Sequence, residues 1–217
     1  MRYLFSCLLV FMGIAISSAG VAASPAEEAG INNSWAAYKK AAAEKNGPAV
    51  ADLFDQHTWD YYDEMRQLAL KGDEAKVRGL LLPDKLIVLT FRGRVPLETL
   101  KTSKAPALIA YLVQNGMIGN ATNYESLPLA DIQSDGKKAA VRLEKDGKLS
   151  PFQIWFAFER NAWRVNLKSM LYLADVIFAN MAQQSGKSED EFLIARLSQV
   201  WKREVSPTIW QPLEKPS

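Results

Sequence analysis

The sequence predicts an α+β domain in which N-terminal helices pack against a curved, cone-like, four-stranded antiparallel meander, with two C-terminal helices closing the chain. Three observations predict it. Up to Asn115, apolar residues recur every three to four positions, the period of a helix with one buried face. After Gly119 the period falls to two, and turn signals separate four alternating runs. From Ser169 the helical period returns.

The chain opens on what reads as a cleavable secretory leader, residues 1–23. Arg2 supplies the positive start, Leu4 to Ile16 is an almost unbroken apolar run, and Val21-Ala22-Ala23 puts slim residues where a signal peptidase reads. The cut is expected after Ala23, with a cut after Ala19 as second choice. The run is shorter than the roughly 20 apolar residues of a spanning helix, and no other run is long enough to span a bilayer. Leu4-Phe5-Ser6-Cys7 only loosely mimics a lipidation box. These features predict a mature domain over residues 24–217, outside the cytoplasm and most naturally periplasmic.

Removing the leader removes Cys7, the only cysteine. The mature chain then has no disulfide, no thiolate nucleophile and no cysteine-type metal site, so its stability must come from packing. With 26 basic and 24 acidic residues, and only Arg2 among them in the leader, the charge is near balance. That is no electrostatic footprint for nucleic acid.

Ser24 to Gly30 reads as a flexible lead-in. Asn33 or Ser34 is placed to cap a helix from Trp35 to Lys45, which Asn46-Gly47 ends. Pro48 restarts the chain. Val50, Leu53, Phe54, His57, Tyr61, Met65 and Leu68 form one apolar stripe, with a break expected near Asp55 to His57 and Thr58 as a fresh cap. Glu74 to Leu81 is a short helix. Leu86 to Phe91 has strand composition, but Pro83-Asp84 has the form of a helix's first turn, and the helix is favoured. Pro106 to Asn115 is a further helix.

The four strands are expected over Tyr124 to Ser134 with a bulge, Lys138 to Lys145, Phe152 to Phe158, and Trp163 to Leu167. Asp146-Gly147 marks a tight hairpin between the second and third. Ser169 to Gln184 is apolar on most sides and is expected to be largely buried. Ser188 and Glu191 have capping-box spacing for the last helix. The tail, residues 205–217, carries Ile209, Trp210 and Leu213 among prolines.

Helices followed by a meander ending in Phe158-Glu-Arg-Asn-Ala-Trp-Arg-Val-Asn-Leu167 resembles the nuclear transport factor 2-like superfamily. The resemblance covers residues 33–168 and implies a curved sheet wrapped around helices, often enclosing an apolar pocket. The helices beyond the sheet depart from the usual pattern. No motif allows the superfamily's catalytic residues to be carried over to this chain.

Candidate chemistry is sparse. His57 is the only histidine, which excludes any site needing two histidine ligands. Asp52, Asp55, Asp60, Asp63 and Glu64 form an acidic cluster, expected as a solvated face because no calcium-loop spacing occurs. Arg92, Arg94, Lys101 and Lys104 form a basic segment, again expected in solvent. Asn32-Asn33-Ser34 and Asn120-Ala121-Thr122 match the glycosylation triplet. His57, Tyr61, Tyr62 and Trp155 are the candidates for lining a pocket. Ile209, Trp210 and Leu213 are expected either to dock on their own domain or to meet a protein partner. No cofactor or metal is implied. The sequence thus points to an exported, non-catalytic binding or assembly module. Its alternatives are a pocket enzyme or carrier for a small apolar or lipid-like ligand, and an inhibitor acting through the tail.

Overall fold

A computed structural model describes residues 21–118 and 128–214. Most of the expected leader, residues 124–127 of the first expected strand, and the Asn120 triplet lie outside the described residues. The helices come first. α1 (Pro25–Ala43) starts well before Trp35, so residues 24–30 are not a loose lead-in. Ser24 caps it in a capping box with Glu27, and Pro25 occupies the first turn. Glu27 also accepts a hydrogen bond from the Ser134 hydroxyl at 2.7 Å. The Ser24 and Ser134 hydroxyls together hold its carboxyl below the usual carboxylate range. Within the Asn32 triplet, Ser34 is buried and its hydroxyl donates to the Trp163 carbonyl.

α2 (Gly47–Leu53) is capped by Asn46 and crosses α7 (Ala105–Gln114) at close range. A Cβ on Gly47 would lie 2.2 Å from the Ala110 carbonyl oxygen, so no larger residue fits there. α3 (Gln56–Lys71) follows, capped by Asp55 and not by Thr58. α4 (Glu74–Arg78) and α6 (Leu97–Thr102) are short, and the sequence did not signal α6. α5 (Leu82–Arg94) is a helix despite its strand-like composition. Leu82, Val88, Leu89 and Phe91 are buried at helical spacing, which a strand would split between two faces.

Among the described residues the sheet holds five antiparallel strands in sequential order: β1 (Val21–Ala22), β2 (Leu129–Ser134), β3 (Lys138–Lys145), β4 (Lys148–Glu159) and β5 (Ala162–Asn166). The expectation of four therefore needs correction. Val21 pairs opposite Ser134 and Ala22 opposite Gln133. Two residues are too few to carry an alternating signal, so β1 was invisible as sequence. The expected bulge in β2 sits between Ala130 and Gln133, where Asp131 adopts φ 47°. Asp146-Gly147 and Arg160-Asn161 both take positive φ at each turn residue, the twist a two-residue hairpin needs. Val141, Leu143, Ile154, Phe156 and Val165 are buried, and Phe156 meets Trp35 of α1 edge-to-face.

The outer edge of β5 is covered by the junction of α2 and α3. Phe54 forms a parallel bridge with Val165, and the Asp55 N–H donates to the Val165 carbonyl at 3.1 Å. Asp55 is buried. One carboxylate oxygen accepts from the Thr58 N–H at 2.8 Å and the other from the Asn166 amide at 2.8 Å. The Thr58 hydroxyl in turn accepts from the Leu167 N–H at 2.9 Å, at the start of α8 (Lys168–Gln184). Arg164 of β5 reaches the Asp52 carboxylate at 2.9 Å.

α8 is not largely buried, as its composition suggested. Val176 and Ile177 are 42% and 39% exposed. Apolarity on all sides demands partners on all sides, and α8 finds them only in part. α9 (Glu189–Trp201) has the expected Ser188–Glu191 capping box, and a 3₁₀ turn (Pro207–Trp210) carries the tail.

Replacing Asp55 with alanine removes a helix cap and strands the Asn166 amide. We expect a loss of about 1–3 kcal/mol in urea unfolding, whereas Asp60→Ala, at an exposed position of the same helix, should change stability by less than about 0.5 kcal/mol.

Candidate functional site

An apolar space lies between α5, α8 and α9. A cavity of about 490 Å³ opens there, within the roughly 300–1,000 Å³ of small-molecule sites. Leu86, Ile87 and Thr90 of α5 form one wall, Leu171 and Phe178 of α8 a second, and Leu193 and Leu197 of α9 a third. Tyr62 and Leu112 reach it from α3 and α7. A smaller apolar space of about 160 Å³ lies on the other side of α8, against Phe152 and Ile154 of β4. Phe178 borders both.

The walls are held unequally. α9 is pinned to α5 near both ends. The buried Lys85 reaches Asp190 at 2.9 Å and Glu189 at 3.5 Å, at the start of α9. At the other end Trp201 lies against Gly93, where an added Cβ would stand 2.3 Å from the ring. Arg203 also donates to the Gly93 carbonyl at 2.7 Å. α8 is tied at its first turn, where Ser169 accepts from the Trp155 N–H at 3.1 Å and donates its own N–H to Asn166 at 2.9 Å. Beyond that turn, Leu171 and Phe178 rest on apolar contacts.

The lining is apolar apart from Tyr62, Thr90, Arg94, Arg196 and the indole of Trp201. Among the described residues that line it there is no aspartate, glutamate or histidine, and nothing pairs a nucleophile with a base. Burial, and then the neighbouring Tyr38, pushes the Tyr62 hydroxyl up, so it keeps its proton near neutral pH. The arrangement suits enclosure of an apolar body.

Of the four residues expected at a pocket, only Tyr62 lines this one. Tyr61 is buried but turns away, donating to Asp84 at 2.5 Å under the Lys168 ammonium. Desolvation first, then that hydrogen bond, raises its pKa. His57 is exposed. The break at Phe54–Asp55 resets the helical phase, so the stripe through Val50 does not continue through position 57. Trp155 is 41% exposed, because Ile154 and Phe156 take the inner face of β4. The α5, α8 and α9 residues were not anticipated. The one sequence signal for them was the all-round apolarity of α8.

The tail docks on its own domain. Trp210 is 3% exposed beneath the Arg78 guanidinium, 4.2 Å from its ring. Ile209 and Leu213 are partly buried against the core, and the Leu213 N–H donates to the Ala69 carbonyl at 3.3 Å. Arg92 organises this contact and is buried, not solvated as its segment suggested. Its guanidinium donates to the carbonyls of Leu68, Ala69 and Gly72 at 2.9, 3.0 and 2.5 Å, and to those of Trp210 and Ile209 at 2.6 and 3.3 Å. The first three lie at the negative end of α3, where a cation is favourable. Burial pulls its pKa down to about 10, which leaves it charged at neutral pH. Lys101, from the same segment, lies 3.7 Å from Glu214.

The acidic cluster is dispersed among structural partners. Asp52 pairs with Arg164, Asp55 caps α3, Asp60 accepts from Gln56, and Asp63 pairs with Arg66. Among the described residues no group of three potential metal ligands stands together. No family model, curated protein or solved structure matches this chain.

Arg92→Met would remove a hydrogen bond from each of five carbonyls, of which Leu68 and Ala69 keep a backbone donor. We expect it to cost about 2–5 kcal/mol in thermal or urea unfolding and to open the tail to limited proteolysis. Lys101→Met, removing a surface ion pair, should cost no more than about 1 kcal/mol.

Proposed function

We propose that this chain is an exported, non-catalytic binding protein that carries a small apolar, lipid-like molecule between α5, α8 and α9. The observation that carries the reading is the apolar cavity of about 490 Å³, one wall of which is formed by Leu171 and Phe178 of α8, both only partly buried. Filling a void restores dispersion contacts that its lining otherwise lacks. Burial of each large apolar side chain of α8 adds about 1.5–3 kcal/mol. A ligand in the cavity therefore stabilises the helix that encloses it.

The secretory leader, the periplasmic setting, the cone-like curvature and the likeness to the nuclear transport factor 2-like superfamily belong to the same proposal. The lining residues favour a carrier over a pocket enzyme, since they bring no acid, base or nucleophile together. The docked tail favours a carrier over a tail-borne inhibitor, because Trp210 is already packed within its own chain.

Native mass spectrometry of the protein from its own host should find an adduct that organic extraction removes. A neutral apolar fluorophore, N-phenyl-1-naphthylamine, should bind the extracted protein. Thr90→Trp, which fills the cavity from α5, should abolish that binding without lowering the unfolding midpoint. Absence of any adduct, with fluorophore binding no better than that of Thr90→Trp, would sink the reading.

A further inference from the structure

We infer that the ligand is an anionic amphiphile, with its apolar chain in the cavity and a carboxylate or phosphate head held at the rim by Arg94 and Arg196. This rests on the carrier reading above and specifies its ligand. Arg94 ends α5 and Arg196 lies on α9, and both line the cavity while remaining exposed. Their charged ends therefore sit where the apolar space meets solvent.

The use of the other arginines makes these two distinctive. Among the described residues, Arg66, Arg78, Arg142, Arg160 and Arg164 engage carboxylates, and Arg92 and Arg203 engage backbone carbonyls. Among the described residues, Arg196 donates only to the neutral Gln199 side chain, at 2.9 Å, and Arg94 has no carboxylate partner. Both residues thus border one apolar cavity, from α5 and from α9, with no carboxylate partner among the described residues. A guanidinium presents a planar fork of donors that matches a carboxylate or phosphate head. A neutral or cationic head would gain nothing from that rim. Thr90, on the same wall as Arg94, adds a hydroxyl to the lining.

Chain-matched probes test this by displacing N-phenyl-1-naphthylamine at low salt. Hexadecanoate and palmitoyl-lysophosphatidylglycerol are the anionic probes, standing for the two sources of such a head, and hexadecanol is the neutral one. We expect both anionic probes, or the one of correct head, to bind about tenfold more tightly than hexadecanol, two exposed charge contacts being worth about that much. The doubly substituted Arg94→Ala, Arg196→Ala protein should lose this preference and keep its hexadecanol affinity. Equal binding of all three probes by the unmodified protein would overturn the anionic head and leave the carrier reading intact. So would a preference that survives the double substitution. Failure of every probe to bind would overturn both.

The edge of the sheet points to a second, independent inference: the leader is removed after Ala19, leaving Gly20 first. Val21 and Ala22 pair with β2, and the buried Ala23 donates its N–H to the Ile132 carbonyl at 3.0 Å. Ser24 donates its own N–H to Glu27 as the cap of α1. A cut after Ala23 would remove β1, bare the edge of β2 and turn the capping amide into a chain terminus. Ser17-Ser18-Ala19 offers small residues at both peptidase subsites, as Val21-Ala22-Ala23 does. N-terminal sequencing of the protein recovered from the periplasm of its host should begin at Gly20. A start at Ser24, or an uncut Met1, would overturn the inference.

Discussion

The buried carboxylate of Asp55 is the constraint on which the two layers of the molecule depend. It caps α3 with one oxygen and holds Asn166 at the end of β5 with the other. Its own N–H continues the edge of the sheet onto Val165. Three residues on, Thr58 receives the Leu167 N–H and so sets where β5 stops and α8 begins. A carboxylate taken out of water is costly unless its lone pairs are satisfied, and these partners come from both layers. The helices and the sheet are therefore registered against each other at this junction, and α8 leaves the sheet in a defined direction.

That direction matters because α8 divides the remaining space. On one side it faces α5 and α9, on the other the inner face of β4, and it fills neither gap. α9 cannot move in to help. Lys85 with Asp190 at one end, and Trp201 against Gly93 at the other, fix its distance from α5. Arg92 immobilises the far side of α5 by gathering carbonyls from α3 and the tail. The cavity is thus a consequence of rigid neighbours around a helix held by apolar contacts, and a helix so held can adjust around a guest at little cost in hydrogen bonds.

Much of the fold was legible in the sequence because it is written in local chemistry. The alternation in Val141–Leu143 and in Ile154–Phe156 identifies the buried face of the strands, and both pairs are buried. Ser188 and Glu191 at capping spacing locate α9, and Asp146-Gly147 locates a hairpin. The same kind of signal, Ser24-Pro25 with Glu27, marks the true start of α1, ahead of the start expected at Trp35. The candidate site was far less legible. Only Tyr62 among the expected pocket residues reached the cavity, since a cavity is the space that several distant segments fail to fill.

By itself, the sequence determined the class of the molecule: helices, then an antiparallel meander, then helices, stabilised without cysteine once the expected leader is gone. Periodicity, caps and turns act over a few residues, so a linear reading captures them. Only the tertiary structure decided that His57 and Trp155 face outward, that Arg92 is buried as a clamp, and that β1 completes the edge of the sheet. Those outcomes depend on helix phase after a break and on which partners surround a side chain. The rim arginines carry the same lesson. Arg94 and Arg196 are ordinary surface residues as sequence, and acquire meaning only because folding brings both to the lining of one apolar cavity.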